Sequence, residues 1–189
     1  MSTGTLIAII VPVAVLLILA VALWWFVSRR RRLQQQFGPE YERTVRRSGS
    51  RLSAERDLRE REQRHEQLRI KPLSPQTRRQ YTEDWTRVQQ EFVDRPVDAV
   101  QHADRLVTLL MHDRGYPTED YEQRLRDLSV EHGQTLEHYR AAHAINAAAS
   151  RDAATTEELR TAMVHYRALF AELLNGGGPP DRGTDTERG

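Results

Sequence analysis

The chain of 189 residues has no cysteine and a single lysine, Lys71, among its 28 basic residues. No disulfide, thiolate metal site or cysteine nucleophile is therefore open to it, and the composition suits a reducing compartment. The arginine skew reflects high genomic GC content more than function. No segment combines alternating polarity with β-branched residues and a hairpin turn, so no sheet is expected. Catalytic signatures are missing as well. There is no HExxH, and the only glycine cluster, Gly176–Gly178, precedes two prolines instead of opening a helix, so it cradles no phosphate.

Charge is missing where it matters most. Leu6–Val27 is a run of 22 residues without a charged or strongly polar side chain, followed by Ser28 and then Arg29, Arg30, Arg31 and Arg32. At 1.5 Å per residue a helix of that length covers about 33 Å, enough for the hydrocarbon core of a bilayer. The arginines favour retention on the cytoplasmic side, and Met1–Thr5 carry no charged side chain, so the expected topology is N-terminus out and body in. Trp24 and Trp25 fall where an aromatic belt would anchor the inner boundary. Ala20-Val21-Ala22 fits a signal-peptidase site, but cleavage there would leave Leu23, Trp24, Trp25 and Phe26 as an apolar terminus, so an uncleaved anchor is the reading preferred. Pro12 bends the outer end of such a helix without preventing insertion.

The net charge of +1 hides a polarity. Residues 29–71 carry 14 basic and 7 acidic groups, whereas residues 72–189 carry 14 and 20. Arginines beside a negative inner leaflet each gain about 1 kcal/mol, which identifies anionic headgroups near Arg29–Arg32 as a partner. Nucleic acid is not expected, because acids are interleaved with the arginines and no stacking platform accompanies them.

Five segments are expected: an extracytoplasmic N-terminus at 1–5, a transmembrane helix at 6–27, a basic helical stalk at 28–71, a cytoplasmic helical bundle at 72–175 and a disordered tail at 176–189. The fold class is all-α. Phe37, Tyr41 and Val45 share one face of the stalk, but Leu52, Leu58 and Leu68 are too sparse for a seam. Acid-to-arginine pairs at i, i+4 (Glu42 with Arg46, Glu55 with Arg59, Asp57 with Arg61, Glu60 with Arg64) predict a solvated helix, broken at Phe37-Gly38-Pro39 and hinged at Ser48-Gly49-Ser50.

In the bundle, Ser74 caps a helix with Tyr81, Trp85, Val88 and Phe92 on one stripe. A second runs from Val97 to about His112 and stops at Gly115. Thr118-Glu119-Asp120 starts a short third helix, Ser129 is read as the cap of a fourth running to about Ala149, and Thr155 with Glu158 forms a capping box for the last. The seven histidines are the side chains best suited to metal binding or acid–base chemistry near neutral pH. His132, His138 and His143 are spaced by six and five residues, which does not put them on one helical face, and His102 with His112 supplies only two ligands. They read as exposed or core-edge, so neither cofactor nor metal is expected.

The order of features, with QQQFGPEYERTV after the arginines and FVDRPVDAVQHADRLV and RGYP in the distal helices, resembles a family of single-pass membrane proteins from high-GC bacteria with no known activity. That resemblance implies an inner-membrane location and a distal helical unit, and nothing about catalysis. The first third is also similar in layout to the stator b subunit of rotary ATP synthases, but the broken seam departs from its long coiled coil. The expected function is a membrane-anchored, non-enzymatic module that binds another protein, with a homo-oligomeric stalk as the alternative and a small metal-dependent enzyme as the remote third.

Overall fold

The computed structural model describes residues 3–176, and for residues 3–15, Ala22, Phe26, Arg29 and Arg30 it describes the helical backbone alone. The expected tail beyond Gly176, the first two residues and the side chains of Arg29 and Arg30 thus lie outside the described residues. Eight helices occupy the rest: α1 (Thr3–Phe37), α2 (Pro39–Ser48), α3 (Arg51–Gln67), α4 (Pro75–Glu91), α5 (Pro96–Arg114), α6 (Tyr121–Glu131), α7 (Leu136–Ala149) and α8 (Thr156–Asn175). Among the described residues there is no strand, as expected of an all-α chain.

The caps follow local chemistry. Ser74 Oγ accepts the Thr77 N–H and Pro75 fills the first turn of α4, where a missing N–H costs nothing. Asp120 caps α6 through the Gln123 N–H. Thr155 and Glu158 exchange side-chain-to-backbone hydrogen bonds at the start of α8, so the capping box read from the sequence is present. One boundary differs. Ser129 caps nothing; it is buried inside α6 with its hydroxyl donating to the Arg126 carbonyl, and the break falls at His132–Thr135 around Gly133. A serine read as a cap can equally bond back along its own helix, and periodicity does not separate the two.

α4, α5, α7 and α8 form the main bundle, with α8 packed most extensively on α7 and α5. Its core contains Trp85 stacked on Phe170, ring centroids 4.7 Å apart, with Tyr139, Tyr166 and Leu169 wholly enclosed. The stripe Tyr81, Trp85 and Val88 is buried there, as its spacing implied.

Residues 28–71 depart from the expected stalk. α1 ends at Phe37, Gly38-Pro39 turns the chain into α2, and Gly49 ends α2 in the left-handed conformation at φ 64°, so the Ser48–Ser50 segment is a tight turn that folds α3 back along α2. Leu33, Phe37, Tyr41 and Leu58 form a second, smaller core, completed by Val130 from α6. α6 is two-sided: Leu125 and Leu128 face the main bundle, Val130 the hairpin. Of the sparse leucines only Leu58 enters this core, against residues of α1, α2 and α6; Leu52 is exposed and Leu68 packs on the main core.

Candidate functional site

Two features stand out: an exposed apolar stretch of α1, and a charged interface that clasps the hairpin to the bundle. On α1, Leu16, Leu17, Ile18 and Leu19 are all more than half exposed. Successive residues of a helix point 100° apart, so four in a row leave no side of the helix packed on protein. Leu23 (66%) and Trp24 (71%) extend the exposed apolar surface, and Trp25 is 57% exposed. Among the described residues no helix is long and apolar enough to cross a membrane, so the span expected over Leu6–Val27 is not established by the fold.

Of the topology arginines, Arg31 is exposed, and Arg32 reaches Glu62 of α3 at 3.5 Å with most of its side chain in solvent. Beyond it the clasp is built from charge. Glu40, almost wholly buried, accepts from Arg61 of α3 at 3.3 Å and from both terminal nitrogens of Arg140 on α7. Arg61 also pairs with Asp57 at 2.6 Å and donates to Ser129 Oγ. Arg43 donates to Glu137 at 2.6 Å, Arg64 lies 3.3 Å from the buried Asp127, and Tyr41 donates to Glu55 at 3.1 Å. Of the i, i+4 pairs expected on a solvated helix, Asp57–Arg61 is formed, while Arg59 Nε donates to the Glu55 carbonyl oxygen. Of the groups that read as a solvated face, Arg61 and Arg64 reach Ser129 and Asp127 of α6, whereas Glu42, Arg46 and Glu60 are exposed as expected. Burial of Glu40 and Arg61 had no sequence signal beyond Ala54 and Leu58, four residues apart on the α3 face opposite Phe37 and Tyr41.

A titratable chain continues the clasp inward. His65 Nε2 lies 3.1 Å from Glu131, Tyr116 donates to the other Glu131 oxygen at 2.9 Å, and the Tyr116 oxygen is 3.2 Å from His132 Nε2. His132 Nδ1 then lies 2.8 Å from Glu172, which also accepts from the Thr135 hydroxyl. The hydrogen bond from His65 holds the Glu131 carboxyl down at about 2 against the opposing effect of burial, with Tyr116 assisting. Burial would raise Glu172, but hydrogen bonds from His132 and Thr135 outweigh it and its pKa falls. Burial pushes the Tyr116 phenol up, and Glu131 adds to this. Tyr116 and His132 thus serve as fixed donors and acceptors in a buried network.

The histidines do not converge. His132 is fully buried, unlike the exposed or core-edge placement expected of it, because it ends α6 where α8 passes. His143 stacks on Tyr121 at 4.0 Å and lies 3.6 Å from Asp104, whose carboxyl, raised by burial, is pulled lower overall by the nearby His143 and by the hydrogen bond from Tyr166. His138 and His165 meet Nδ1 to Nδ1 at 2.9 Å, so one ring donates and the other accepts. Among the described residues no group of three or more histidine, aspartate or glutamate side chains is placed to hold a metal ion.

On the far side of the bundle, Trp85, Phe92, Met163 and Val164 floor a cleft of about 160 Å³ between α4 and α8, with Arg160 and Arg167 at its rim.

No family model, no curated protein and no solved structure matches this chain.

Proposed function

We propose that the protein is a membrane-anchored helical adaptor whose bundle faces the cytoplasm and binds another protein, with no catalytic role. The observation that carries this reading is the exposure of Leu16, Leu17, Ile18, Leu19, Val21, Leu23 and Trp24 on a helix whose other end is locked into the fold. Soluble monomers rarely leave contiguous apolar patches of this kind, and a lipid phase covers one at no cost. The sequence supplies the rest of the span, since Leu6–Val15 continues the same apolar run outward. Arginines at 29–32 support the inward orientation of the body. The clasp gives the anchor its mechanical sense: it makes the end of α1 continuous with the bundle, so the bundle is held at a fixed stand-off from the inner surface.

A partner-binding role draws support from the apolar cleft between α4 and α8, which lies away from the hairpin and leaves Val164 57% exposed. The homo-oligomeric stalk draws less support, because Phe37 and Tyr41 of the face proposed for its seam pack inside the hairpin core. The deciding experiment fuses a topology reporter after residue 189 and, in parallel, crosslinks neighbours in the native membrane. Cytoplasmic reporter activity, resistance to alkaline carbonate extraction and a reproducible protein crosslink are the outcomes expected. A polypeptide released by carbonate, or a reporter active on the outer side, overturns the proposal.

A further inference from the structure

α3 runs antiparallel to the chain that precedes it, back toward the apolar end of α1. Tyr41 meets Glu55, Leu58 packs with Phe37 and Leu33, and Arg32 meets Glu62, so each turn gained along α3 is a turn lost toward the apolar segment. The last turns of α3 are thereby level with the arginine-rich turn of α1. Between them lies a cleft of about 300 Å³, lined by Arg32 and Leu33 of α1 and by Arg59, Glu62, Gln63 and Glu66 of α3. Arg32 is five residues past Val27, about 7.5 Å along the axis, which is the depth of the polar headgroup layer if the apolar run occupies the hydrocarbon core.

We infer that this cleft binds a phosphoethanolamine group, with the phosphate on Arg32 and Arg59 and the ammonium on Glu62 and Glu66, and that its source is a phospholipid headgroup of the cytoplasmic leaflet. The inference rests on the proposed membrane placement. The lining decides the chemistry. Two guanidinium groups suit a phosphate, and both Arg32 and Arg59 line the cleft, Arg59 with its Nε engaged by the Glu55 carbonyl. A headgroup that is only anionic would set its charge against the two carboxylates in the same cleft. A choline headgroup brings a cation without an N–H, so it forms no hydrogen bond to Glu62 or Glu66. A primary ammonium offers three donors and satisfies both. Leu33, 4% exposed, supplies an apolar wall beside the glycerol end of such a lipid.

The test uses full-length protein in detergent micelles, titrated with short-chain phosphatidylethanolamine, phosphatidylcholine and phosphatidylglycerol and read by native mass spectrometry. Phosphatidylethanolamine is expected to bind at least tenfold more tightly than either competitor. The double variant Glu62→Gln with Glu66→Gln erases the preference over phosphatidylcholine with helicity unchanged, and Arg59→Gln weakens phosphatidylethanolamine and phosphatidylglycerol alike. Equal affinity for the ethanolamine and choline lipids, or a preference that survives the glutamine variants, overturns the inference. Displacement of the lipid by free O-phosphoethanolamine at an equal concentration overturns the lipid as the source. Alkaline carbonate extraction of the same proteins separates the two levels: release of wild-type protein from vesicles sinks the membrane placement itself, whereas retained protein without headgroup preference sinks the cleft alone.

Discussion

Arg140 grips Glu40 with both terminal nitrogens, Nη1 to Oε2 at 2.7 Å and Nη2 to Oε1 at 3.0 Å, joining residues a hundred positions apart in the chain. With Arg61 also on Glu40, one carboxylate ties α2 to both α3 and α7. Removing one member of a buried pair strands the other, at about 3 kcal/mol or more, whereas replacing all members by apolar groups of similar size is neutral or stabilising. Glu40→Gln is therefore expected to lower stability by about 3 kcal/mol in urea titrations of the full-length protein in micelles. The triple variant Glu40→Leu, Arg61→Met, Arg140→Met is expected to recover most of that loss, and a triple variant weaker than the single one would show that the charges themselves hold the fold.

Acid weakens the same junction. Glu131 is held at about 2 in the folded chain, chiefly by the hydrogen bond from His65; Glu172 is also lowered, as is Asp104 within the main bundle. A carboxylate whose folded pKa is depressed contributes stability that is complete above its unfolded value and is lost as pH falls through the folded one. For Glu131 the window runs from about 4.5 down to about 2. Thermal midpoints are expected to fall steadily across that window, and Glu131→Gln to flatten the slope while lowering stability at neutral pH. A slope identical in the variant would remove Glu131 from the acid response.

What the sequence made legible were the features written in local chemistry. Ser74, Pro75, Asp120, Thr155 with Glu158, and the Phe37-Gly38-Pro39 break each act within a turn or two of chain, and the helices begin and end there. The bundle stripes could be read because a 3.6-residue period survives whatever the partner is. The hairpin could not, since Leu33, Phe37, Tyr41 and Leu58 make a core only when Gly49 turns α3 back and α6 brings Val130, a residue 72 positions beyond Leu58. Charge pairing misled for the same reason. An i, i+4 pattern predicts local pairs; Asp57–Arg61 formed, but Arg61 also took Glu40, and Glu55 took Tyr41, once buried. Buried His132 left no mark at all, because its partners Tyr116 and Glu172 arrive from other elements.

The capping box of α8 gives a prediction on the legible side. Thr155→Ala removes the acceptor for the Glu158 N–H at the start of the helix that carries Tyr166 and Phe170 into the core. The expected cost is about 1 kcal/mol, and Thr155→Ser should restore most of it. Denaturant midpoints of the three proteins decide the point, and an alanine variant as stable as wild type would mean that tertiary packing alone fixes the start of α8.

Gly133 sits where the α6–α7 turn passes the end of α1, and a Cβ built there would come within 2.6 Å of the Phe37 carbonyl oxygen and 3.1 Å of its carbon. Backbone on both sides leaves nothing flexible to give way, so Gly133→Ala must push the turn off α1, at about 1–3 kcal/mol for overpacking. The push falls on the junction and not on the main bundle, whose Trp85–Phe170 stack belongs to the other core. Hydrogen exchange should therefore accelerate in α2 and α3 while protection of α5 and α8 stays near wild type. Uniform acceleration across all helices would show that the two cores unfold as one unit, and unchanged exchange would show that the turn tolerates the methyl group and that Phe37 is not the anchor point.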